Sequence, residues 1–108
     1  MIDWDRVSEL RDEIGAEDFA EVVEIFLEEV EEELAKLNDG MAQDALLSGL
    51  HFLKGSALNL GFESFSDMCQ DYETAARNAE AVQVSSLKAT YASSKSEFLS
   101  ALTQLDAA

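Results

Sequence analysis

The 108-residue chain contains no proline and only five glycines. Proline breaks a helix interior and glycine weakens one, so a chain that nearly lacks both residues favours long uninterrupted helices. Because 47% of the residues are apolar, the chain can build one hydrophobic core, but it is too short for two independent ones. The sequence therefore predicts a single all-α domain spanning residues 1–108.

The clearest predicted helix runs from about Glu17 to Leu37. Its apolar residues recur at intervals of three and four, which is the spacing of one helical face: Phe19, Val22, Val23, Phe26, Leu27, Val30, Leu34 and Leu37. Nine carboxylates between Glu17 and Glu33 have no basic residue among them, and we interpret them as a solvated outer face. Asn38-Asp39-Gly40 then supplies the residues of a turn.

Two further helices flank this one. A short first helix is predicted from an N-cap at Asp3 to a stop at Gly15, as an arm that packs against the bundle. The third helix should run from about Met41 to Leu60 and end at Gly61, a residue suited to the left-handed conformation that closes helices.

The fourth helix follows almost at once, with Ser64 and Asp67 as a capping box. A break over residues 80–83 separates it from the last helix, whose inward stripe is Leu87, Tyr91, Phe98, Leu102 and Leu105. Four long helices with short connections predict an antiparallel up-down-up-down four-helix bundle, preceded by the short first helix.

The charge of the chain argues against several classes of partner. A formal net charge of −16 would repel nucleic acid and anionic membrane surfaces, and it favours a monomer. The sequence has no targeting signal and no segment long enough to span a bilayer, so we expect a cytoplasmic protein. One cysteine, Cys69, and one histidine cannot build a disulfide or a zinc site, and we expect no bound metal or cofactor.

The only histidine, His51, lies off the core stripe of the third helix. A helical projection at about 100° per residue places five apolar residues in one narrow sector, which must face the core: Leu46, Leu50, Leu53, Ala57 and Leu60. A second sector, turned well away from the first, holds Leu47, His51, Lys54, Gly55 and Leu58. The sequence therefore predicts one exposed face that carries an imidazole, an ammonium, a glycine and two leucines.

Gly55 is the most informative residue of this face, because a glycine inside a helix costs roughly 1 kcal/mol relative to alanine. Tight packing between helices is one explanation; the other is a gap that lets another molecule approach His51 closely. Lys54 lies three residues after His51 and can supply a counter-charge to an anion bound there. Leu47 and Leu58 flank the polar centre as a docking surface for a partner would.

An imidazole near neutral pH has a free lone pair that can attack phosphorus, so His51 can serve as a nucleophile. The sequence has no glycine-rich loop that would bind a nucleotide, so a phosphoryl donor must be another protein. An acid-base enzyme that uses His51 is a further possibility, although it would require a closed pocket.

The segment His51-Phe52-Leu53-Lys54-Gly55-Ser56-Ala57-Leu58-Asn59-Leu60-Gly61 resembles the signature of histidine-containing phosphotransfer (HPt) domains of two-component phosphorelays. Upstream, Phe26-Leu27-Glu28-Glu29 resembles the second helix of that family, and Cys69 with Glu73 is similar to its following helix.

This resemblance implies a carrier without kinase activity, which takes a phosphoryl group from a receiver-domain aspartate and gives it to another. His51 would be the phosphorylated residue, Lys54 its electrostatic partner, Gly55 the gap for the receiver, and Glu73 a residue that orients the imidazole. The partners would be response-regulator receiver domains and a sensor hybrid kinase, with Mg²⁺ bound in the receiver. The alternative is an adapter that binds and inhibits a kinase or receiver domain without being phosphorylated.

Overall fold

The computed structural model describes residues 2–107, with side chains as far as Leu102. This part of the chain forms five helices and no strand: α1 (Trp4–Ile14), α2 (Ala16–Lys36), α3 (Gln43–Leu60), α4 (Glu63–Arg77) and α5 (Val84–Ala107). The predicted all-α fold is confirmed, and four of the five helices begin within one residue or so of the position that the sequence suggested. The side chain of Leu105, assigned to the stripe of the last helix, lies outside the described residues.

Helices α2 to α5 form the antiparallel four-helix bundle, and α3 and α4 make the most extensive helix pair. The core is filled by fully buried aromatic and leucine side chains from α3, α4, α5 and the α3–α4 turn: Leu50, Leu53, Leu60, Phe62, Phe65, Leu87 and Phe98. On the other side, Tyr91 and Lys95 of α5 donate hydrogen bonds of 2.7 and 2.6 Å to the Glu31 carboxylate of α2. These contacts join the last helix of the bundle to the first.

Helix α1 packs across one end of the bundle, as an arm. Val7 and Leu10 are buried, and the Trp4 ring stacks on Phe98 of α5 with 6.0 Å between the ring centroids. The Asp3 amide donates to the Gly61 carbonyl at 2.7 Å, and Arg6 Nε donates to the Asn59 carbonyl at 3.2 Å. The arm is therefore fixed to the end of α3.

The turn between α3 and α4 depends on Gly61. Its φ of 81° lies in the left-handed region, and the amides of Gly61 and Phe62 bond back to the carbonyls of Leu58 and Ala57. A Cβ at Gly61 would lie 2.7 Å from the Asp3 carbonyl oxygen. Glycine is therefore required here twice, once for the backbone conformation and once for the close approach of the α1 segment.

Helix α4 ends, like α3, with a left-handed residue and amides that bond back to the last carbonyls of the helix, but this residue is not a glycine. The amides of Ala79 and Glu80 donate to the carbonyls of Ala76 and Ala75, and Ala79 has a φ of 58°. A non-glycine residue in this conformation carries backbone strain.

Side chains tie the α2–α3 and α4–α5 connections together at the other end of the bundle. Asp39 accepts a hydrogen bond of 2.9 Å from the Val84 amide at the start of α5. Gln43 donates to the Ala76 carbonyl at 2.5 Å, which satisfies a carbonyl in the last turn of α4. The two connections therefore form one hydrogen-bonded unit.

One predicted helix start and one predicted cap were wrong. Helix α3 begins at Gln43 rather than at Met41, because the Met41 amide bonds to the Asn38 carbonyl and is still part of the turn. Helix α4 begins at Glu63, directly after the α3 turn, so Ser64 is already its second residue and cannot be the N-cap of a capping box with Asp67.

Candidate functional site

His51 lies on the outer face of α3, and 75% of its side chain is exposed. The five residues that the helical projection assigned to the core, from Leu46 to Leu60, are all buried. The division of α3 into a core sector and an outer sector is therefore present in the structure.

Glu73 of α4 lies beside the imidazole. Its Oε1 atom is 3.8 Å from His51 Nδ1, and only 1% of its side chain is exposed. The distance is too long for a hydrogen bond but short enough for a strong electrostatic interaction when the ring is charged. Nδ1 is therefore the ring nitrogen that faces the protein.

Two cations accompany this buried carboxylate. Lys54 Nζ lies 3.2 Å from Glu73 Oε1, and an Arg77 guanidinium nitrogen donates a hydrogen bond of 3.3 Å to Oε2. Among the described residues, Oε1 accepts no hydrogen bond, so the contact with Lys54 is an ion pair without hydrogen-bond geometry. Lys54, Glu73 and Arg77 lie under the exposed imidazole, and we call these three side chains the charged cluster.

Lys54 is held towards α4. Its ammonium donates a hydrogen bond of 2.9 Å to Gln70 Oε1, while only 21% of its side chain is exposed. The structure therefore brings Lys54 and His51 to the same oxygen of Glu73. To reach a group bound to the imidazole, the Lys54 ammonium would have to turn away from that oxygen.

Gly55 faces open space. A Cβ built at this position would meet no atom within 4 Å, which excludes tight packing between helices as the reason for this glycine. Gly49, on the same helix, shows the opposite arrangement, since a Cβ there would lie 2.8 Å from Leu37 Cδ2 and 3.2 Å from Glu33 Oε1. Gly49 therefore serves the packing of α2 on α3, whereas Gly55 leaves a gap one turn from His51.

The apolar side chains around His51 differ from the prediction at one position. Leu58 is 58% exposed, as expected, whereas Leu47 is half-buried and packs against the core. Phe52, which follows His51, is 42% exposed and adds apolar surface that the projection did not single out.

Cys69 and Ser56 are buried and offer no accessible nucleophile. Burial raises the pKa of the Cys69 thiol to about 12, and the nearby Glu73 carboxylate adds to this effect while Lys54 opposes it. The thiol is therefore neutral at physiological pH and acts as a packing residue.

Sequence reasoning missed Gly49, Gln70 and Arg77. Gln70, Glu73 and Arg77 recur at intervals of three and four, so they share one face of α4, and this spacing was the available signal. It could not have shown that this face meets Lys54, because that depends on how α4 packs against α3.

The site therefore consists of an accessible imidazole, a gap beside it, apolar surface around it and, beneath it, the charged cluster with its buried Glu73 carboxylate. An open face does not exclude water, whereas an acid-base enzyme would need a site from which water is excluded. It does allow an imidazole to attack a group that another macromolecule presents.

Comparison with protein families gives one match. The sequence model of the family described as "Hpt domain" matches residues 21–108, a range that begins in α2 and includes His51 and the charged cluster. No curated protein and no solved structure matches the chain in the other two comparisons. In the described part of the chain, no helix combines the length and the apolar character that crossing a bilayer requires.

Proposed function

Because this chain belongs to the Hpt domain family, whose members act as phosphotransfer carriers in phosphorelays, we propose that His51 accepts a phosphoryl group from a receiver-domain aspartate and passes it to another receiver domain. The observation that carries this proposal is the exposure of His51 beside a glycine whose missing side chain leaves open space. A receiver's active site can approach an imidazole only where no neighbouring side chain stands in the way.

The chemistry follows from the orientation of the ring. Nδ1 faces the Glu73 carboxylate, which favours the tautomer with the proton on Nδ1 and leaves the lone pair on Nε2. Nε2 attacks the phosphorus, the N–P bond forms, and the O–P bond of the aspartyl phosphate breaks as the carboxylate leaves with the electron pair. In this proposal Glu73 orients the imidazole through its other nitrogen.

The remaining residues of the face assist the encounter. Gly55 admits the receiver's active-site loop, and Lys54 supplies a positive charge near the phosphoryl group. Leu58 and the exposed part of the half-buried Leu47 belong to the docking surface. The Mg²⁺ that assists the transfer would be bound by the receiver. We further propose that the protein acts as a cytoplasmic monomer and that one of its receivers belongs to a sensor hybrid kinase.

The experiment is transfer from a phosphorylated receiver. Purified receiver domains are phosphorylated with acetyl phosphate, freed of the small molecule, and mixed with the wild-type chain and with His51→Gln. Wild type should acquire an acid-labile, base-stable phosphoryl group, and His51→Gln should acquire none. Because the His51 side chain is 75% exposed, the variant should fold normally, which circular dichroism checks. Equal labelling of both proteins, or no labelling by any receiver, would contradict the proposal.

A further inference from the structure

A cavity of about 250 Å³ opens where the end of α3 meets the start of α4. Its walls include residues of both helices and of the segment that precedes α1: Asp3, Leu58, Gly61, Glu63, Ser66 and Asp67. It lies in the same α3–α4 groove as the hydrogen bond between Lys54 and Gln70, about one helical turn closer to the Gly61 turn. Because Leu58 belongs both to the cavity and to the docking surface, the cavity borders the face that carries His51.

The walls of the cavity carry negative charge that no described cation balances. Asp3, Glu63 and Asp67 are exposed, and within the described residues none of these three carboxylates forms an ion pair. One oxygen of Asp3 accepts the capping hydrogen bond from the Arg6 amide. The Arg6 guanidinium points to other partners, two carboxylates of α1 and a carbonyl of α3. A cation that entered the cavity would therefore meet carboxylates that have no charged partner.

Ser66 gives an independent indication that a polar group enters this cavity. Only 4% of this residue is exposed, and it lines the cavity. Its hydroxyl makes no hydrogen bond with any residue that the structure describes. Buried polar groups almost always have a partner, so this hydroxyl requires one that reaches it through the cavity. Water can fill that place in the free protein, and a ligand that displaces the water must supply a donor or an acceptor of its own.

The cavity also has an apolar wall, because Leu58 is 58% exposed and lies at its edge. An arginine side chain matches this combination, since its apolar stem can pack on a leucine while its charged end reaches polar groups. The guanidinium has five donors in a planar fork, so it can reach acceptors on several walls at once. The ammonium of lysine is a single point with three donors and suits separated acceptors less well.

We propose that this cavity binds an arginine side chain of the receiver domain that docks over His51. This inference rests on the proposed transfer between a receiver and His51. The guanidinium pairs with Glu63 and Asp67 and donates to the Ser66 hydroxyl, while the stem of the arginine packs on Leu58. The cavity then favours receivers that carry an arginine at the matching edge over receivers that do not.

The cavity acts on docking and not on the reaction. Leu58 follows His51 by two helical turns on the same face of α3, a distance of about 10 Å along the helix. One receiver can therefore cover both residues, although the carboxylates of the cavity are too far from the imidazole to touch the phosphoryl group. Losing them should weaken the binding of the receiver and leave the rate of transfer within the complex unchanged.

The first test measures transfer from a phosphorylated receiver, at increasing receiver concentration, to wild type and to the double variant Glu63→Gln/Asp67→Asn. Both positions are exposed, so the variant should fold normally, which circular dichroism checks. The half-saturating receiver concentration should rise roughly tenfold, the loss expected when hydrogen bonds to a charged group are removed. The transfer rate at saturation should stay at the wild-type value, as should phosphorylation by phosphoramidate, a small-molecule donor.

Glu28→Gln/Glu32→Gln is the matched control, since it removes the same charge from exposed positions of α2. This variant should keep the wild-type half-saturating concentration. If it weakens docking as much as the cavity variant does, the effect comes from the net charge of the chain and the inference is overturned. An unchanged half-saturating concentration in the cavity variant would overturn it as well.

The second test needs no transfer. N-acetylarginine amide is titrated into the ¹⁵N-labelled wild type, and the corresponding citrulline compound, which has nearly the same shape and no charge, serves as the comparison. The arginine probe should shift the amide signals of Gly61, Ser66 and Asp67 saturably, whereas the citrulline probe should not, and neither should shift them in the cavity variant. Equal shifts with both probes, or none with arginine, would overturn the inference. Failure of every receiver to label His51 would instead contradict the proposed function, and this titration would still decide on the cavity.

Discussion

The gap at Gly55 gives a prediction in which stability and function change in opposite directions. Gly55→Ala adds a Cβ that meets no atom within 4 Å, so the fold need not shift to accommodate it. Replacing a helical glycine by alanine then stabilises the helix by up to about 1 kcal/mol. For a domain of this size the melting temperature should rise by roughly 4–8 °C for each kcal/mol. Thermal unfolding followed by circular dichroism measures the change.

Gly49→Ala is the matched comparison, with the same substitution in the same helix. Its Cβ would lie 2.8 Å from Leu37 Cδ2, and Leu37 is only 2% exposed and has little room to move. Overpacking costs about 1–3 kcal/mol, which outweighs the gain of about 1 kcal/mol from the better helix former. Gly49→Ala should therefore unfold at a lower denaturant concentration than wild type.

The functional half of the prediction uses Gly55→Gln. Its longer side chain projects into the space beside His51, so the variant should fold as stably as wild type while transfer from a phosphorylated receiver falls at least about tenfold. The rate at which phosphoramidate, a small-molecule phosphoryl donor that needs little space, phosphorylates His51 should fall far less. The reasoning is refuted if Gly55→Ala destabilises the protein as much as Gly49→Ala does, or if Gly55→Gln accepts phosphoryl groups from receivers at the wild-type rate.

Three further predictions concern stability and reactivity. Gly61→Ala should destabilise the fold by more than about 1 kcal/mol, whereas Ala79→Gly should leave it unchanged or slightly more stable in chemical denaturation, because only the second change relieves strain. Cys69, with its pKa raised to about 12 by burial, should resist iodoacetamide in the folded protein and react after unfolding; rapid labelling of the native state would contradict this. The hydrogen bond from Lys95 lowers the pKa of Glu31. This pair therefore stabilises the fold above the usual carboxylate range, and the stabilisation is lost as the pH falls through the lowered pKa. The stability difference between wild type and Lys95→Met should shrink below about pH 4, and a constant difference would refute this reasoning.

Much of the fold was predictable because each helix carries its own signal. The apolar spacing of α2 and the stop at Gly61 are local features, and local features were enough for the helix order and the bundle. The predicted start at Met41 was wrong because a turn residue and a first helical residue look alike in sequence.

The candidate site was predictable as far as one helix defines it. The projection of α3 separates His51 and Gly55 from the core without knowledge of any neighbour. It could not show that Leu47 packs against the core, or that Lys54 turns towards Gln70. A projection gives the direction in which a side chain leaves its helix, but not which residues of the neighbouring helices lie in that direction. The same limit explains why Gly49 was missed, since its reason lies on α2.

The Gly61 turn also sets the alignment between the two helices that build the site. At 1.5 Å per residue, the length of α3 from His51 to its end at the turn is about 14 Å, and the length of α4 from its start at the turn to Glu73 is about 15 Å. The two side chains are level with each other because these two lengths nearly match. Inserting one residue in α4 before Glu73 would turn that side chain by about 100° around its helix. The pairing of His51 with Glu73 is thus a property of chain length on either side of one glycine, and it limits where this sequence can gain or lose a residue.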